Sequence, residues 1–225
     1  MSKIVIFANG PSIDPLENRQ YIDPDDIIIC ADGGAVYARE LDIMPHHLVG
    51  DFDSLDNRIV EKLRAAGVAI EQHPVNKDKT DLELALETAA TYPPQELLVL
   101  TGLGGRMDQL LGNINLLAGR AWPFTRISMA DGEQRAWVLT GPDAITLAGE
   151  AGDVLSVIPF GGGITGLDII GVKWPLRNKQ VSWGSTLTLS NEIIEQQAKV
   201  VIKEGIALVI RIKKGAMPML NQQAP

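Results

Sequence analysis

The sequence has very little cysteine. Its only cysteine, Cys30, lies within the apolar run "IIIC". A single cysteine excludes an intrachain disulfide framework and any zinc site built from several cysteines. Long hydrophobic runs are also missing, so no segment matches a membrane span. The N-terminal segment "MSKIVIFANGPS" has too short an apolar run for a signal peptide and no cleavage pattern after it. We therefore expect a cytoplasmic protein without a membrane anchor.

The chain also lacks an excess of positive charge. Its 225 residues carry 20 Lys and Arg against 28 Asp and Glu, which gives a formal net charge of −8. Nucleic acids and anionic membranes repel such a protein, so neither is expected as a partner. A phosphorylated small molecule stays compatible if divalent cations and a few lysines or arginines offset its charge. The hydrophobic fraction of 45% allows a sizeable core in one large domain or two small ones.

The first half of the sequence alternates short apolar runs with helical patterns. The runs predict five buried strands, at residues 4–8, 27–31, 47–50, 68–72 and 96–100. The intervening patterns predict four helices, at residues 35–41, 56–66, 80–92 and 107–119. In the third helix "TDLE" fits a capping box, with Thr80 as the cap and Glu83 reaching back. Alternation of this kind predicts a mostly parallel sheet flanked by helices.

The second half has a different pattern. Its segments are short and β-rich, and glycine-rich turns such as "FGGG" separate them. This pattern predicts an antiparallel β-sandwich or barrel, of which we favour the sandwich. The sequence therefore predicts an α/β domain over residues 1–124 and an all-β domain over residues 125–218.

Polar and glycine residues follow four of the predicted parallel strands. They form the loops "ADGGA", "GDFDS", "NKDKTD" and "TGLGGRMD". Ligands bind beyond the carboxyl ends of the strands in an open parallel sheet, so these loops predict a site. The edge would bring acids and cations together, and these residues are Asp32, Asp51, Asp53, Lys77, Asp78, Lys79, Asp81, Arg106 and Asp108.

So many carboxylates at one edge would repel one another without a cation. Mg²⁺ prefers oxygen ligands and removes this repulsion. Asp51 and Asp53 are two residues apart on an extended segment, so they point to one side and can share an ion with Asp81. Phe52, between them, should point into the fold. Lys77 and Arg106 would then meet phosphate oxygens, while glycines such as Gly102 let the backbone approach them.

Taken in order, the motifs "CADGGA", "GDFDSL", "NKDKTDLELAL" and "GLGGRMDQLLGNINLL" resemble those of the thiamine pyrophosphokinase (thiamine diphosphokinase) family. The likeness extends to "GVKWPLRN" and "TLTLSNE" in the β-rich half. It implies a homodimer with active sites between subunits. It also implies transfer of a pyrophosphoryl group from ATP to the hydroxyl of thiamine, releasing AMP.

The resemblance assigns roles to matching positions. It implies that Asp51, Asp53 and Asp81 bind Mg²⁺, with Asp32 as a candidate fourth ligand. It implies that a second set surrounds the ATP phosphates, namely Lys77, Asp78, Thr80, Gly105, Arg106 and Asp108. It implies that a third set contacts thiamine, namely Trp174, Ser190 and Asn191. Asp78 and Asp108 both stay candidates for the group that takes the hydroxyl proton.

One position departs from the family pattern, since Gln109 stands where a histidine is expected. Glutamine does not titrate near neutral pH, so an acid–base role at this position is in doubt.

Two alternative enzymes stay open. "DFDSL" is close to the nucleophile motif of haloacid-dehalogenase-type phosphatases, although Leu55 replaces Thr or Val and the motif follows the third strand. A pyrophosphokinase acting on a pterin alcohol would share the phosphate-side motifs. A nucleotide sensor without activity is a further class.

Overall fold

The protein was analysed as a computed structural model, and the structure describes residues 2–12, 14–93 and 95–215. Contacts between Cα atoms divide the chain into two compact units between Gly132 and Glu133. This division lies later than the predicted boundary after residue 124. The reason is that a strand beginning at Arg126 pairs with the parallel sheet of the first unit. The predicted end of the second domain, residue 218, lies outside the described residues.

The first unit contains a parallel sheet with helices around it, as the sequence predicts. The strands are β1 (Ile4–Phe7), β2 (Ile27–Ala31), β3 (His47–Gly50), β4 (Ala69–Gln72), β5 (Glu96–Leu100) and β6 (Arg126–Asp131). The helices are α1 (Gly34–Glu40), α2 (Asn57–Ala65), α3 (Asp81–Ala89) and α4 (Met107–Gly119). All five predicted strands and all four predicted helices are present. The prediction that all five strands are buried is wrong for β4, which lies at the edge of the sheet and has only exposed or half-buried residues. β6 and a short 3-10 helix at Glu17–Tyr21 were not predicted.

The strand order of this sheet is β4-β3-β2-β1-β5-β6. β1 pairs in parallel with β2 on one side and with β5 on the other, so that Ile4 lies opposite both Ile27 and Leu97. Every residue of β1 is buried, which explains its unbroken apolar sequence. Strands β2 to β4 are added on one side of β1, and strands β5 and β6 are added on the other side. The strand order therefore reverses between β1 and β5, and an open parallel sheet forms its ligand crevice at such a point, beyond the carboxyl ends of the strands.

Two details of the helices differ from the prediction. Thr80 Oγ1 accepts a hydrogen bond from the Glu83 amide at 3.2 Å, so it does cap α3. The Glu83 carboxylate does not return to the cap, because it pairs with Arg120 at 2.5 Å. The spacing of Leu110, Leu111, Ile114 and Leu117 in α4 predicts one inward-facing stripe. Leu117 is buried, but Leu111 is 52% exposed and does not belong to that stripe. None of the helices in the described ranges is long and apolar enough to cross a membrane.

The second unit is an antiparallel β-sandwich, as predicted. Its strands are β7 (Gln134–Thr140), β8 (Asp143–Ala148), β9 (Val154–Ile170), β10 (Leu176–Val181), β11 (Asn191–Glu192), β12 (Gln197–Ile202) and β13 (Glu204–Ile212). β9 belongs to both sheets, since its first half pairs with β13 and its second half with β10 and β12. The "FGGG" segment therefore lies inside one strand and does not separate two. Apolar residues of both sheets, such as Val157 and Ile169, form the core.

Candidate active site

The loop after β3 places Asp51 and Asp53 beside the buried Phe52. Phe52 is 6% exposed and packs in the core of the first unit, as its position in the sequence predicts. Its φ of 65° is unusual for a bulky residue and turns the chain sharply between the two acids. The Asp51 side chain is half-buried and Asp53 is exposed. The core thus anchors the segment that carries both carboxylates.

Three acids meet at this edge of the sheet, namely Asp32, Asp51 and Asp53. One carboxylate oxygen of each lies within 4.8 Å of the others, a spacing that suits a shared metal ion. Asp32 is 2% exposed, and its Oδ2 accepts a hydrogen bond from Asn9 Nδ2 at 2.9 Å. Its Oδ1 is buried and has no hydrogen-bond partner among the described residues. A buried charged oxygen without a partner is costly and fits a cation ligand.

Electrostatics at Asp32 agree with this geometry. Burial raises the pKa of Asp32, and the nearby carboxylates of Asp81 and Asp51 raise it further. The Ser54 hydroxyl and the Gly33 amide oppose this effect without cancelling it. The protein therefore holds an acid in a place that disfavours its ionised form unless a positive charge comes close.

Gly50 allows the acids to come this near to the end of β3. A Cβ atom at Gly50 would lie 3.1 Å from the Asp32 Cβ and 3.1 Å from Asp81 Oδ1. Both contacts are tighter than ordinary van der Waals packing. A side chain at this position would have to push one of the two carboxylates away, so the glycine belongs to the construction of the site.

Lys77 lies between Asp51 and Asp81. Its Nζ is 2.6 Å from Asp51 Oδ2 and 2.9 Å from Asp81 Oδ1. Burial lowers the pKa of Lys77, but hydrogen bonds to the two carboxylates outweigh burial, and the net pKa is raised. The hydrogen bond from Lys77 in turn lowers the pKa of Asp51. Asp81 is thus linked to the acidic cluster through a lysine and is not one of the three acids that meet directly.

A cavity of about 420 Å³ opens beside these acids at the β1–β5 crevice. Five of the non-glycine residues predicted to bind the metal or the phosphates line this cavity, namely Asp51, Lys77, Thr80, Asp81 and Arg106. Gly102 and Gln109 also line it. Cationic, hydroxyl and backbone groups therefore share one polar cavity of suitable size for part of a nucleotide.

Three predicted phosphate-side residues are not part of the cavity wall, and neither are Asp32 and Asp53 of the acidic cluster. Asp108 forms a two-pronged ion pair with Arg106, with Nε–Oδ1 at 3.1 Å and Nη2–Oδ2 at 2.6 Å. This hydrogen bonding with Arg106 lowers the pKa of Asp108. Gly105 lies next to Arg106, and Asp78 is exposed between Lys77 and Lys79. Lys79 lines the cavity, although its ammonium pairs with Glu87 on α3 at 2.7 Å.

The loop after β1 also contributes to the cavity, although it was not predicted as part of the site. Asn9 and Gly10 line the cavity, together with Asn113 from α4. The segment "ANGPS" at the end of the first strand has the same polar and glycine composition as the four loops that were recognised. The rule that polar and glycine-containing loops after parallel strands form the site also applies to this segment. It differs from the other four loops in having no charged residue.

The second unit brings together two of the three residues matched to thiamine binding. The Asn191 side chain accepts a hydrogen bond from the Trp174 amide at 3.1 Å and donates one to the Trp174 carbonyl at 2.8 Å. Trp174 is 56% exposed, so its ring does not cover the sandwich core. Ser190 is exposed next to Asn191 and has a φ of 55°. No helix begins at this point, because Asn191 and Glu192 form β11.

Comparison with known proteins places the chain in a family. Its sequence is 32% identical over 211 residues to a thiamine pyrophosphokinase of Bacillus subtilis, covering 94% of this chain and 99% of the relative. The chain belongs to the thiamin pyrophosphokinase family. The model of the family's catalytic domain matches residues 18–127, and the model of its vitamin B1 binding domain matches residues 144–207. Family membership identifies the chain as an enzyme.

Further members of the thiamin pyrophosphokinase family agree with this placement. The crystal structure of the Bacillus subtilis enzyme superimposes with a TM-score of 0.81 at 30% identity, covering 95% of this chain and 100% of that one. The thiamin pyrophosphokinase of Geobacillus thermodenitrificans gives a TM-score of 0.78 at 30% identity, covering 96% and 99%. A rice relative, thiamine pyrophosphokinase 1, is 26% identical over 82% of this chain and 78% of its own length.

Proposed function

We propose that this enzyme transfers the pyrophosphoryl group of ATP to the hydroxyl of thiamine and produces thiamine diphosphate and AMP. One observation carries the proposal. Asp32 belongs to a cluster of three acids, and one of its buried carboxylate oxygens has no hydrogen-bond partner among the described residues. Asp51 of the same cluster lines a cavity whose wall also includes Lys77 and Arg106. This combination is what a metal–polyphosphate complex requires of a protein.

The residues fit a magnesium ion. Asp32, Asp51 and Asp53 would hold it through oxygen atoms, which is the ligand type that Mg²⁺ prefers. Asp81 is the further candidate ligand, and its carboxylate is at present compensated by Lys77. Mg²⁺ bound here would neutralise phosphate charge during the reaction. The buried Asp32 Oδ1 supports this assignment because it has no hydrogen-bond partner among the described residues.

Lys77 and Arg106 would contact the phosphates. Lys77 is largely buried and held in place by two acids, so its charge is fixed in the cavity wall. Arg106 is 74% exposed and carries a planar guanidinium suited to two oxygens at once. Its present partner, Asp108, is also exposed, so a phosphate can replace it at little cost. Thr80 contributes its position at the start of α3, where the helix dipole favours anions.

The proposed reaction is an in-line attack of the thiamine hydroxyl oxygen on the β-phosphorus. A bond from that oxygen to the β-phosphorus forms, the bond to the bridging oxygen of the α-phosphate breaks, and AMP leaves. Such transfers depend mainly on positioning and charge neutralisation. Arg106 lowers the pKa of Asp108 and makes it a weaker base, while Asp78 lies outside the cavity wall. The attacking hydroxyl therefore releases its proton to water, so that thiamine diphosphate, AMP and a proton are formed together.

Thiamine would bind in the second unit against Trp174. The thiazolium ring carries a permanent positive charge, and a tryptophan face attracts a cation by about 0.5–2 kcal/mol. The exposed Trp174 ring already has the Lys173 ammonium 5.0 Å from its centroid, so this face accepts a positive charge. Asn191 holds the Trp174 backbone from both sides, and Ser190 adds an exposed hydroxyl next to it.

We also propose that the enzyme acts as a homodimer in the cytoplasm. Met107 and Leu111 are one helical turn apart on α4 and are 76% and 52% exposed. An exposed apolar pair on a regular helix supports a contact with another chain.

The single cysteine agrees with the proposed cytoplasmic location. Cys30 is buried, and burial strongly raises the pKa of its thiol, which suits a residue that stays reduced and unreactive.

The test of the proposed function is to incubate the purified enzyme with Mg²⁺, ATP and thiamine and to separate the nucleotides by chromatography. AMP and thiamine diphosphate should appear together in equal amounts. A parallel incubation replaces thiamine with a hydroxymethyl pterin. Turnover of the pterin and not of thiamine would contradict the proposed acceptor.

The phosphatase alternative makes a different chemical prediction for the same site. In that mechanism Asp51 is a nucleophile and forms an aspartyl-phosphate. Acid quenching followed by mass spectrometry of the peptide that contains Asp51 would detect this adduct. We expect no adduct, and trapping one during turnover would refute the proposed mechanism.

A further inference from the structure

The acids of the candidate metal site are connected by a hydrogen-bond chain that begins at Asn9. Asn9 Nδ2 donates to Asp32 Oδ2 at 2.9 Å and lies 3.4 Å from Ser54 Oγ. Ser54 Oγ in turn donates to Asp53 Oδ1 at 3.1 Å. The Asp53 amide donates to Asp51 Oδ1 at 3.3 Å. One asparagine outside the acidic cluster therefore contacts the Asp32 carboxylate directly and reaches the Asp53 carboxylate through Ser54.

The place of the Asn9 amide is set by the backbone that surrounds it. Asn9 follows β1, and its amide group lies against Gly33 at the start of α1. A Cβ atom at Gly33 would lie 2.1 Å from Asn9 Oδ1 and 2.9 Å from Asn9 Nδ2. The amide therefore occupies the space that a side chain at residue 33 would need. Although Asn9 is an exposed residue, its side chain is seated in a defined position.

Ser54 has no competing role at the start of the next helix. Asp56 is the N-cap of α2, and its carboxylate accepts a hydrogen bond from the Arg58 amide at 2.8 Å. The Ser54 hydroxyl instead joins Asn9 to Asp53. This arrangement leaves Asp32 Oδ1 as the free oxygen of a carboxylate whose other oxygen is fixed.

We propose that Asn9 is a positioning residue for the metal site, which orients Asp32 directly and Asp53 through Ser54. The inference rests on the proposed function, because it concerns the acids assigned to Mg²⁺. Groups that hydrogen-bond to metal ligands typically change metal affinity by about 10- to 100-fold when they are removed. Asn9 donates to Asp32 Oδ2 and so fixes the carboxylate, which leaves Oδ1 available for a cation.

The test measures Mn²⁺ binding to the whole protein by isothermal titration calorimetry, without nucleotide. Asn9→Ala should raise the Mn²⁺ dissociation constant by about 10-fold or more. Ser54→Ala should also raise it, because this change breaks the same chain at its second link. Asn115→Ala is the matched control, since within the described ranges the Asn115 amide donates only to the Leu111 carbonyl on α4, at 2.9 Å. The Mn²⁺ affinity of this variant should equal that of the wild type.

Kinetics and thermal denaturation separate a positioning role from a purely structural one. In Asn9→Ala the Mg²⁺ concentration for half-maximal turnover should rise while the KM for thiamine stays constant. A lower melting temperature with unchanged Mn²⁺ affinity in both Asn9→Ala and Ser54→Ala would overturn the inference and leave the proposed function intact. A wild-type protein that binds no Mn²⁺ would overturn both the inference and the metal assignment. If Asn9→Ala binds Mn²⁺ more weakly than the wild type, but the wild type itself forms no thiamine diphosphate, the inference is supported and the proposed function is contradicted.

Discussion

The substitution Asp32→Asn should make the metal-free protein more stable while it removes activity. Asp32 is 2% exposed, lies close to Asp51 and Asp53, and has one carboxylate oxygen without a partner. Asparagine is nearly isosteric and keeps an oxygen that can accept from Asn9. It also presents an amide donor in place of the free oxygen. The φ of 44° at residue 32 lies in a region that asparagine tolerates well, so no backbone penalty is expected.

The size of this effect follows from the removal of a buried charge. A buried polar group without a partner costs about 1–3 kcal/mol, and a charged one costs more. We therefore expect the free energy of unfolding to rise by about 1–3 kcal/mol without metal. For a chain of this length each kcal/mol raises the melting temperature by about 2–4 °C. Metal at about 100 times its dissociation constant would stabilise the wild type by about 2.7 kcal/mol, and the variant should gain little.

The assay is thermal denaturation of both proteins with and without Mg²⁺, repeated at decreasing pH. The pKa of Asp32 is raised in the folded state, so its ionisation costs stability as the pH rises through that pKa. The advantage of the variant should accordingly shrink as the pH falls and Asp32 becomes protonated in the wild type. A metal-free variant less stable than the wild type at neutral pH would refute the reasoning. An equal stabilisation of both proteins by Mg²⁺ would refute the ligand assignment.

Two further predictions concern the acids after β3 and the exposed tryptophan. Asp51→Asn and Asp53→Asn should each abolish turnover while circular dichroism shows an intact fold, because both carboxylates belong to the acidic cluster; full activity in either variant would contradict the metal assignment. Trp174→Ala should raise the KM for thiamine by about 2- to 30-fold, which corresponds to the loss of one cation–π contact. The KM for ATP should change little in that variant, and equal changes in both constants would argue against stacking on Trp174.

Much of the first unit was predictable because its central strands, such as β1 and β5, are buried on both faces. Runs such as "IVIFA" and "ELLVL" are too short for helices and lie between helical patterns, which favours buried strands. β6 was not predicted, because its sequence "RISMAD" mixes polar with apolar residues and lies just before the β-rich half. Its place is set by pairing with β5, from Glu96 opposite Arg126 to Leu100 opposite Ala130. Pairing between distant segments is a tertiary property that local patterns do not reveal.

The candidate site shows the same division between local and distant information. The rule that loops at the carboxyl ends of parallel strands lie together predicts that Asp32, Asp51 and Asp53 lie at one edge. It does not single out these three, since the sequence favours Asp51, Asp53 and Asp81 as the acids that share an ion. It does not reveal that Lys77 bridges Asp51 and Asp81, because that contact depends on how the loop before α3 folds back. It also does not reveal the hold of Asn191 on the Trp174 backbone.

The central claim is the transfer of a pyrophosphoryl group through attack on the β-phosphorus. It is tested most directly with ATP labelled separately at the α-, β- and γ-phosphates, in the presence of thiamine and Mg²⁺. The account predicts that the β and γ labels both appear in thiamine diphosphate and that the α label appears in AMP. Transfer of the γ label alone, with ADP as the nucleotide product, would contradict it.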